Sequence, residues 1–174
     1  MKHVKRLCFA TLFSATYLVG APMIEHSDAV KILPSQATEL TFEGVLRVYS
    51  SPLPKGVCIL SSLELPVDEE ILKNEEAFVQ NFESYLVSHL FFNPQVFKQK
   101  QKFTLVPGTL HKQPCLQFHF SYIDKGVSKV VNGVALVNDN VLCHLFYITS
   151  EENSKGMEIE LNKMKEKLSH ILKD

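Results

Sequence analysis

From Cys115 to Leu172 the chain carries three strand-like runs joined by tight polar turns, then one long amphipathic run. That order constrains the fold more than any other feature. The runs Cys115–Ile123, Val127–Val137 and Asn140–Thr149 are rich in β-branched and aromatic residues, as half-buried strands are. Asp124-Lys125-Gly126 reads as a three-residue hairpin loop and Asn138-Asp139 as a two-residue one. Consecutive hairpins of this kind make an antiparallel meander. Beyond Glu151 and Glu152, the residues Met157, Leu161, Met164, Leu168, Ile171 and Leu172 fall on one stripe of a helix. Such a stripe needs a cover, and the sheet supplies it.

Upstream, the same reading predicts a strand over Leu40–Ser50, a turn over Ser51–Gly56 marked by Pro52 and Pro54, and a second strand over Val57–Leu65. A helix is expected from an N-cap at Asn74, with Phe78, Phe82, Tyr85, Leu86 and Leu90 on one face, stopping at Asn93-Pro94. A third strand, Phe97–Val106, alternates Lys98, Lys100 and Lys102 against less polar neighbours, which suits an edge or solvated strand. Pro107-Gly108 reads as the following turn. The expectation is therefore an α+β domain: an antiparallel sheet of about six strands flanked by helices.

At the N-terminus Lys2, Lys5 and Arg6 precede an uncharged run from Leu7 to Ile24, after which Glu25 and Asp28 restore polarity. Basic, apolar and polar segments in that order are the pattern of an export signal. Ser27 and Ala29 match the small residues before a cleavage site, so residues 1–29 are expected to be removed, leaving 30–39 as a linker and 40–174 as the domain. Val19 and Ala21 fit the same rule, but Pro22 would follow that cut. An uncleaved single-span anchor is the alternative, the apolar run being close to the spanning minimum. Cys8 lies too early for a lipid-attachment motif.

Hydrophobic residues at 45% and charged residues at 21% are ordinary for a folded domain, which excludes disorder and a polytopic membrane protein. The net charge of −1, without a basic patch, removes the electrostatic drive for nucleic-acid binding. Membrane contact is expected only through the N-terminal segment.

The order of hairpin, helix, antiparallel strands and closing helix resembles the PsbP-like, Mog-type α/β/α sandwich family. The likeness rests on Leu105–Gly108, Cys115–Tyr122, Gly133–Val137, Leu145–Ile148 and the helix ending in Leu168, Ile171 and Leu172. It implies a binding module, since the family includes photosystem accessory subunits, a small-GTPase partner and secretion-system chaperones. It implies no site residues, because the family shares none.

No phosphate loop, dinucleotide fingerprint, zinc-protease motif, nucleophile elbow or paired-cysteine motif occurs, and no cofactor is expected. One constellation follows from the assumed turns. Gly133 falls opposite His144 and Val131 opposite His119, and opposed residues share a face. Cys115, His119, Gly133 and His144 then form a candidate ligand-binding face, its imidazoles about 9.6 Å apart at ~4.8 Å per strand. A metal held by both histidines and Cys115 is the chemical use of such a face; partly buried polar residues with local hydrogen bonds are the structural one. On that register Cys115 and Cys143 point to opposite faces and do not pair, and Cys58, Cys115 and Cys143 behave as buried apolar residues. The functional expectation is an exported or envelope-associated, non-enzymatic module that binds a protein partner. A small-ligand or lipid carrier, with Phe78, Phe82, Tyr85, Phe91, Phe92, Phe118 and Phe120 lining a pocket, is the second reading, and a metal-dependent enzyme on the Cys115, His119 and His144 face is the third.

Overall fold

The computed structural model describes residues 23–34, 36–42, 46–64, 74, 76, 80, 101–138 and 141–171. Among the described residues seven strands form one antiparallel sheet: β1 (Thr38–Phe42), β2 (Leu46–Leu53), β3 (Gly56–Glu64), β4 (Gln101–Leu110), β5 (Gln113–Asp124), β6 (Val127–Asn138) and β7 (Val141–Ser150). Their order across the sheet is β1-β2-β3-β7-β6-β5-β4, which puts the predicted meander β5-β6-β7 beside the N-terminal hairpins. Helix α1 (His26–Ile32) precedes the sheet, and α2 (Ser154–Ile171) closes the chain after a 3-10 turn at Glu151–Asn153. The helix expected from Asn74 to Leu90, the start of the expected third strand at Phe97–Lys100, and Leu172 lie almost wholly outside the described residues.

Alternation along each strand sorts side chains onto two faces. One, the helix face, gathers Tyr49, Cys58, Leu60, Cys115, Val134, Leu136, Cys143, Leu145 and Tyr147 under α1 and α2. Helix α2 offers Met157, Leu161, Met164 and Leu168, all buried, at spacings of four and three, which is the predicted stripe. Burying each such side chain is worth roughly 1.5–3 kcal/mol, so tertiary packing rather than propensity holds this helix in place. The other, the aromatic face, gathers Val48, Ile59, Leu116, Phe118, Phe120, Tyr122, Val131, Ala135, Leu142 and Phe146, also buried.

The sheet has seven strands rather than six because the expected strand Leu40–Ser50 is two. Phe42 pairs with Arg47 and Thr38 with Ser50, so the chain reverses between β1 and β2. Two prolines read as turn markers lie inside strands. Pro52 sits past the last β1 pairing of β2, and Pro107 sits on β4, the edge strand, positions where a missing N–H costs the ladder nothing. The reversal assigned to Pro107-Gly108 occurs instead at His111 and Lys112, both with positive φ (48° and 73°), a two-residue turn without glycine or asparagine to announce it.

The stretch 30–39 is not a linker. It holds the second half of α1 and the start of β1, and Ile24, Ala29, Ile32, Leu33 and Ala37 all enter the helix-face core. Ala29, Ile32 and Leu33 stand three and four residues apart, a helical stripe too short to register against the apolar run before it. The folded unit therefore extends N-terminally at least to Met23, which packs against the same core.

Candidate functional site

The four residues proposed from sequence are not brought together, and one turn explains why. Asp124 pairs with Val127, so the β5–β6 loop is the two-residue Lys125-Gly126, with φ of 50° and 80°, in place of a three-residue loop. A one-residue change in a hairpin exchanges the faces of a strand. His119 accordingly pairs with Asn132, and Cys115 with Leu136, on the helix face. Gly133 and His144 lie on the aromatic face, where the second loop is also shifted: Asn138 pairs with Val141, setting Gly133 opposite Phe146 and Ala135 opposite His144.

Gly133 is not a gap. A Cβ there would stand 2.4 Å from the Cβ of Phe146, 2.6 Å from the Leu145 carbonyl oxygen and 2.7 Å from Cζ of Phe118. Phe118 and Phe146 flank it on the neighbouring strands with ring centroids 6.1 Å apart. The glycine lets two aromatic rings occupy the space a side chain would take. His144 is 1% exposed, opposite Ser61 on β3, whose Oγ lies 3.4 Å from its Nδ1. Burial holds its pKa down to about 3, so the ring is neutral at physiological pH.

On the helix face His119 is half-buried near the β4 edge, with Thr104 donating its hydroxyl to the His119 carbonyl. Its cross-strand neighbour Asn132 donates to the Tyr147 hydroxyl at 3.4 Å, and that hydroxyl donates to the Ser154 carbonyl at 3.3 Å, tying the start of α2 to β6 and β7. Cys58, Cys115 and Cys143 are buried free thiols on this face. Cys115 and Cys143 share the face, contrary to the expected register, and stay apart because Leu136 pairs with both from the strand between them. Two strand spacings, about 9.6 Å, exceed the ~7 Å Cα limit of a disulfide. Burial pushes the Cys58 and Cys143 thiols up to about 12 and raises Cys115 as well, against a smaller opposite pull from Lys165. Thiols held neutral are poor nucleophiles and poor metal ligands.

Among the described residues, open space lies at the end of the sheet, away from the four residues predicted from sequence. A cleft of about 430 Å³ separates the β2–β3 turn from the start of α2. Leu53, Pro54 and Met157 supply its apolar lining, Lys55, Glu152 and Glu160 its charged groups, and Gly156 its missing side chain. A Cβ at Gly156 would meet nothing within 4 Å, so packing within the chain does not call for glycine there. A helical glycine costs about 0.5–1 kcal/mol relative to alanine. The Thr149 hydroxyl donates to the Lys55 carbonyl at 2.5 Å and fixes the hairpin side of the cleft to β7.

Two further polar clusters come from residues the sequence reading left aside. Glu25, His26, Glu39, Arg47 and Tyr49 surround a shallower cleft of about 240 Å³ where α1 meets β1 and β2. Arg47 is ion-paired to Glu25, and that hydrogen bond holds the guanidinium more firmly in its charged form. His111 in the β4–β5 turn and His170 in the last turn of α2 bring their ring centroids to 5.6 Å. Two imidazoles supply half of a tetrahedral donor set, and among the described residues no group of three or more His, Cys, Asp or Glu is placed to hold a metal.

No family model matches the chain, and no curated protein matches it. Among solved structures it is similar to PA94, a Pseudomonas aeruginosa protein of unknown function, at 9% identity and a TM-score of 0.44, over 75% of this chain and 94% of that one. A Bacteroides thetaiotaomicron protein matches at 11% identity and a TM-score of 0.42, over 75% of this chain and 41% of its own length. LpqN of Mycobacterium tuberculosis, involved in cell envelope biogenesis, matches at 16% identity and a TM-score of 0.38, over 84% of this chain and 96% of that one.

Proposed function

We propose that this chain is an exported or envelope-associated binding module that engages a protein partner at the cleft between the β2–β3 turn and α2. The observation that carries the reading is the cleft itself: an apolar floor of Leu53, Pro54 and Met157 edged by Lys55, Glu152 and Glu160. An apolar centre with a charged rim is the anatomy of a recognition surface. It agrees with the burial of His144, Cys58 and Cys143 in their neutral forms. The export part of the proposal rests on the basic, apolar, polar order of the N-terminus. Among the described residues no helix is long and apolar enough to cross a membrane. The three-layer, PsbP-like form belongs to the same proposal, and the burial of the aromatic face supports it.

The test is cross-linking in the envelope fraction with wild type and Gly156→Trp. The substitution fills the cleft from a position where a Cβ meets nothing. A partner cross-linked to wild type and lost from the variant is the expected result; one retained equally by both contradicts it.

A small-ligand carrier is the second reading, favoured by the cleft volume, which lies in the range of about 300–1,000 Å³ typical of ligand sites. Of the aromatic lining expected for it, Phe118 and Phe120 are packed in the aromatic-face core, and the other five residues lie outside the described residues. Native mass spectrometry of the protein from its source separates the readings, because only a carrier retains added small-molecule mass. The metal-dependent enzyme reading loses its geometric basis, since Cys115 and His119 face one way and His144 the other.

A further inference from the structure

We infer that the functional protein keeps residues 23–33, so that any processing of the N-terminal segment falls ahead of Met23 and the Ser27/Ala29 pair is not a cleavage site. The inference rests on the export reading for the enzyme that would do the cutting, and on the fold for where the cut cannot be.

Three independent attachments make this stretch part of the domain. Ile24 is 2% exposed and Ala29 is 0% exposed, and both belong to the core that also holds Leu161, Met164 and Leu168 of α2. Glu25 is ion-paired to Arg47 of β2, whose side chain is only 18% exposed. The His26 ring lies against Tyr49, itself fully buried, at a centroid distance of 5.7 Å. A cut after Ala29 would remove Ile24, Glu25, His26 and Ala29 together, opening the helix-face core and taking the carboxylate from a largely buried guanidinium.

Accessibility is not the point, because a signal peptidase meets the chain before it folds. What matters is the product. A chain beginning at Val30 would keep only Val30, Lys31 and Ile32 of α1, less than one helical turn. The small residues at 27 and 29 have a different cause: Ala29 is small because it lies fully buried where α1 packs on the core, and Ser27 is an exposed residue of the same helix. Helix packing and peptidase recognition ask for the same residue types, which is how the sequence alone mistakes one for the other.

The test is the intact mass and N-terminal sequence of the full chain recovered from the envelope fraction of cells that produce it. The expected N-terminus lies at Met23 or earlier; Val30 as the first residue overturns the inference. Recovery of the unprocessed chain from the cytosol instead defeats the export reading while leaving residues 23–33 in place, so the two failures are distinguishable. Ser27→Arg gives a second readout, since a large charged residue there blocks recognition at Ala29 while the exposed position keeps it out of the core. Unchanged processing of that variant is expected. A mature chain lengthened by the substitution would show that the pair is used.

Discussion

The two faces of the sheet are built from the same strands yet fail in different ways. The helix face is a conventional seam in which α2 lays aliphatic and sulfur side chains over β6 and β7 and α1 packs against α2. The aromatic face is a mosaic of rings fitted around one glycine, with a neutral histidine sealed among them. A group perturbed by burial points to a site when it also opens into a cleft, and His144, Cys58 and Cys143 line neither of the two clefts described above. The difference teaches that a histidine or a cysteine in a strand is to be judged by the face it occupies and what covers that face. Chemical type alone does not identify a site.

The largest expected effect lies on the aromatic face. Gly133→Val should destabilise by about 4 kcal/mol or more, beyond the usual 1–3 for overpacking, because one of its clashes is with backbone. Urea unfolding checks this. Phe118→Ala should cost about 3–5 kcal/mol alone, yet less in the Gly133→Val background, since Phe118 is one of the groups the new side chain meets. Leu161→Ala on the helix face should cost about 2–5 kcal/mol and add to either without coupling. Strong coupling between Leu161 and Gly133 would break the division into two cores.

The faces should also respond to opposite ends of the pH scale. His144 has a folded pKa of about 3 against an ordinary 6.5, so the unfolded chain takes up its proton first. The stability it contributes is complete above pH 6.5 and declines as pH falls toward 3, by at most about 1.4 kcal/mol per unit. His144→Gln should flatten that slope. Cys58 and Cys143 have folded values near 12 against an ordinary 9, so the unfolded chain loses their protons first. Stability should drop as pH rises from 9 toward 12, at a similar rate per thiol. A Cys58→Ala, Cys143→Ala variant should lose part of this alkaline decline. Denaturation at a series of pH values reads both. The smallest expected effect belongs to neither face: Gly156→Ala, at the cleft, should stabilise by about 0.5–1 kcal/mol in the same measurement.

Much of this architecture is legible in the residues. Met157, Leu161, Met164 and Leu168 announce α2 by spacing, and the alternating runs after Cys115 announce β5 to β7. What is not legible is register. Lys125-Gly126 closes a two-residue loop that could equally have included Asp124, and that one residue decides whether His119 faces His144 or turns away. The lysine alternation ahead of Val106 does suggest an edge strand, and β4 is at the edge, but Pro107-Gly108 still reads as its end because an edge strand tolerates proline where a turn would also place it. The cleft at Gly156 could have been suspected from a glycine near the start of an otherwise regular stripe, but its second wall, Leu53 to Lys55, lies about a hundred residues away and only the fold brings it there.

His144 on one face and the thiols of Cys58, Cys115 and Cys143 on the other are sealed from solvent, which is what leaves the open cleft as the proposed recognition surface. Residue-resolved labelling of the native protein tests this sealing most directly, with a thiol reagent and an imidazole reagent applied together and the adducts mapped by mass spectrometry. The predicted result is modification of the exposed His26, His111 and His170, with Cys58, Cys115, Cys143 and His144 protected until the chain unfolds. Modification of His144 or of any of the three thiols in the folded protein, at the rate of the exposed histidines, would contradict it.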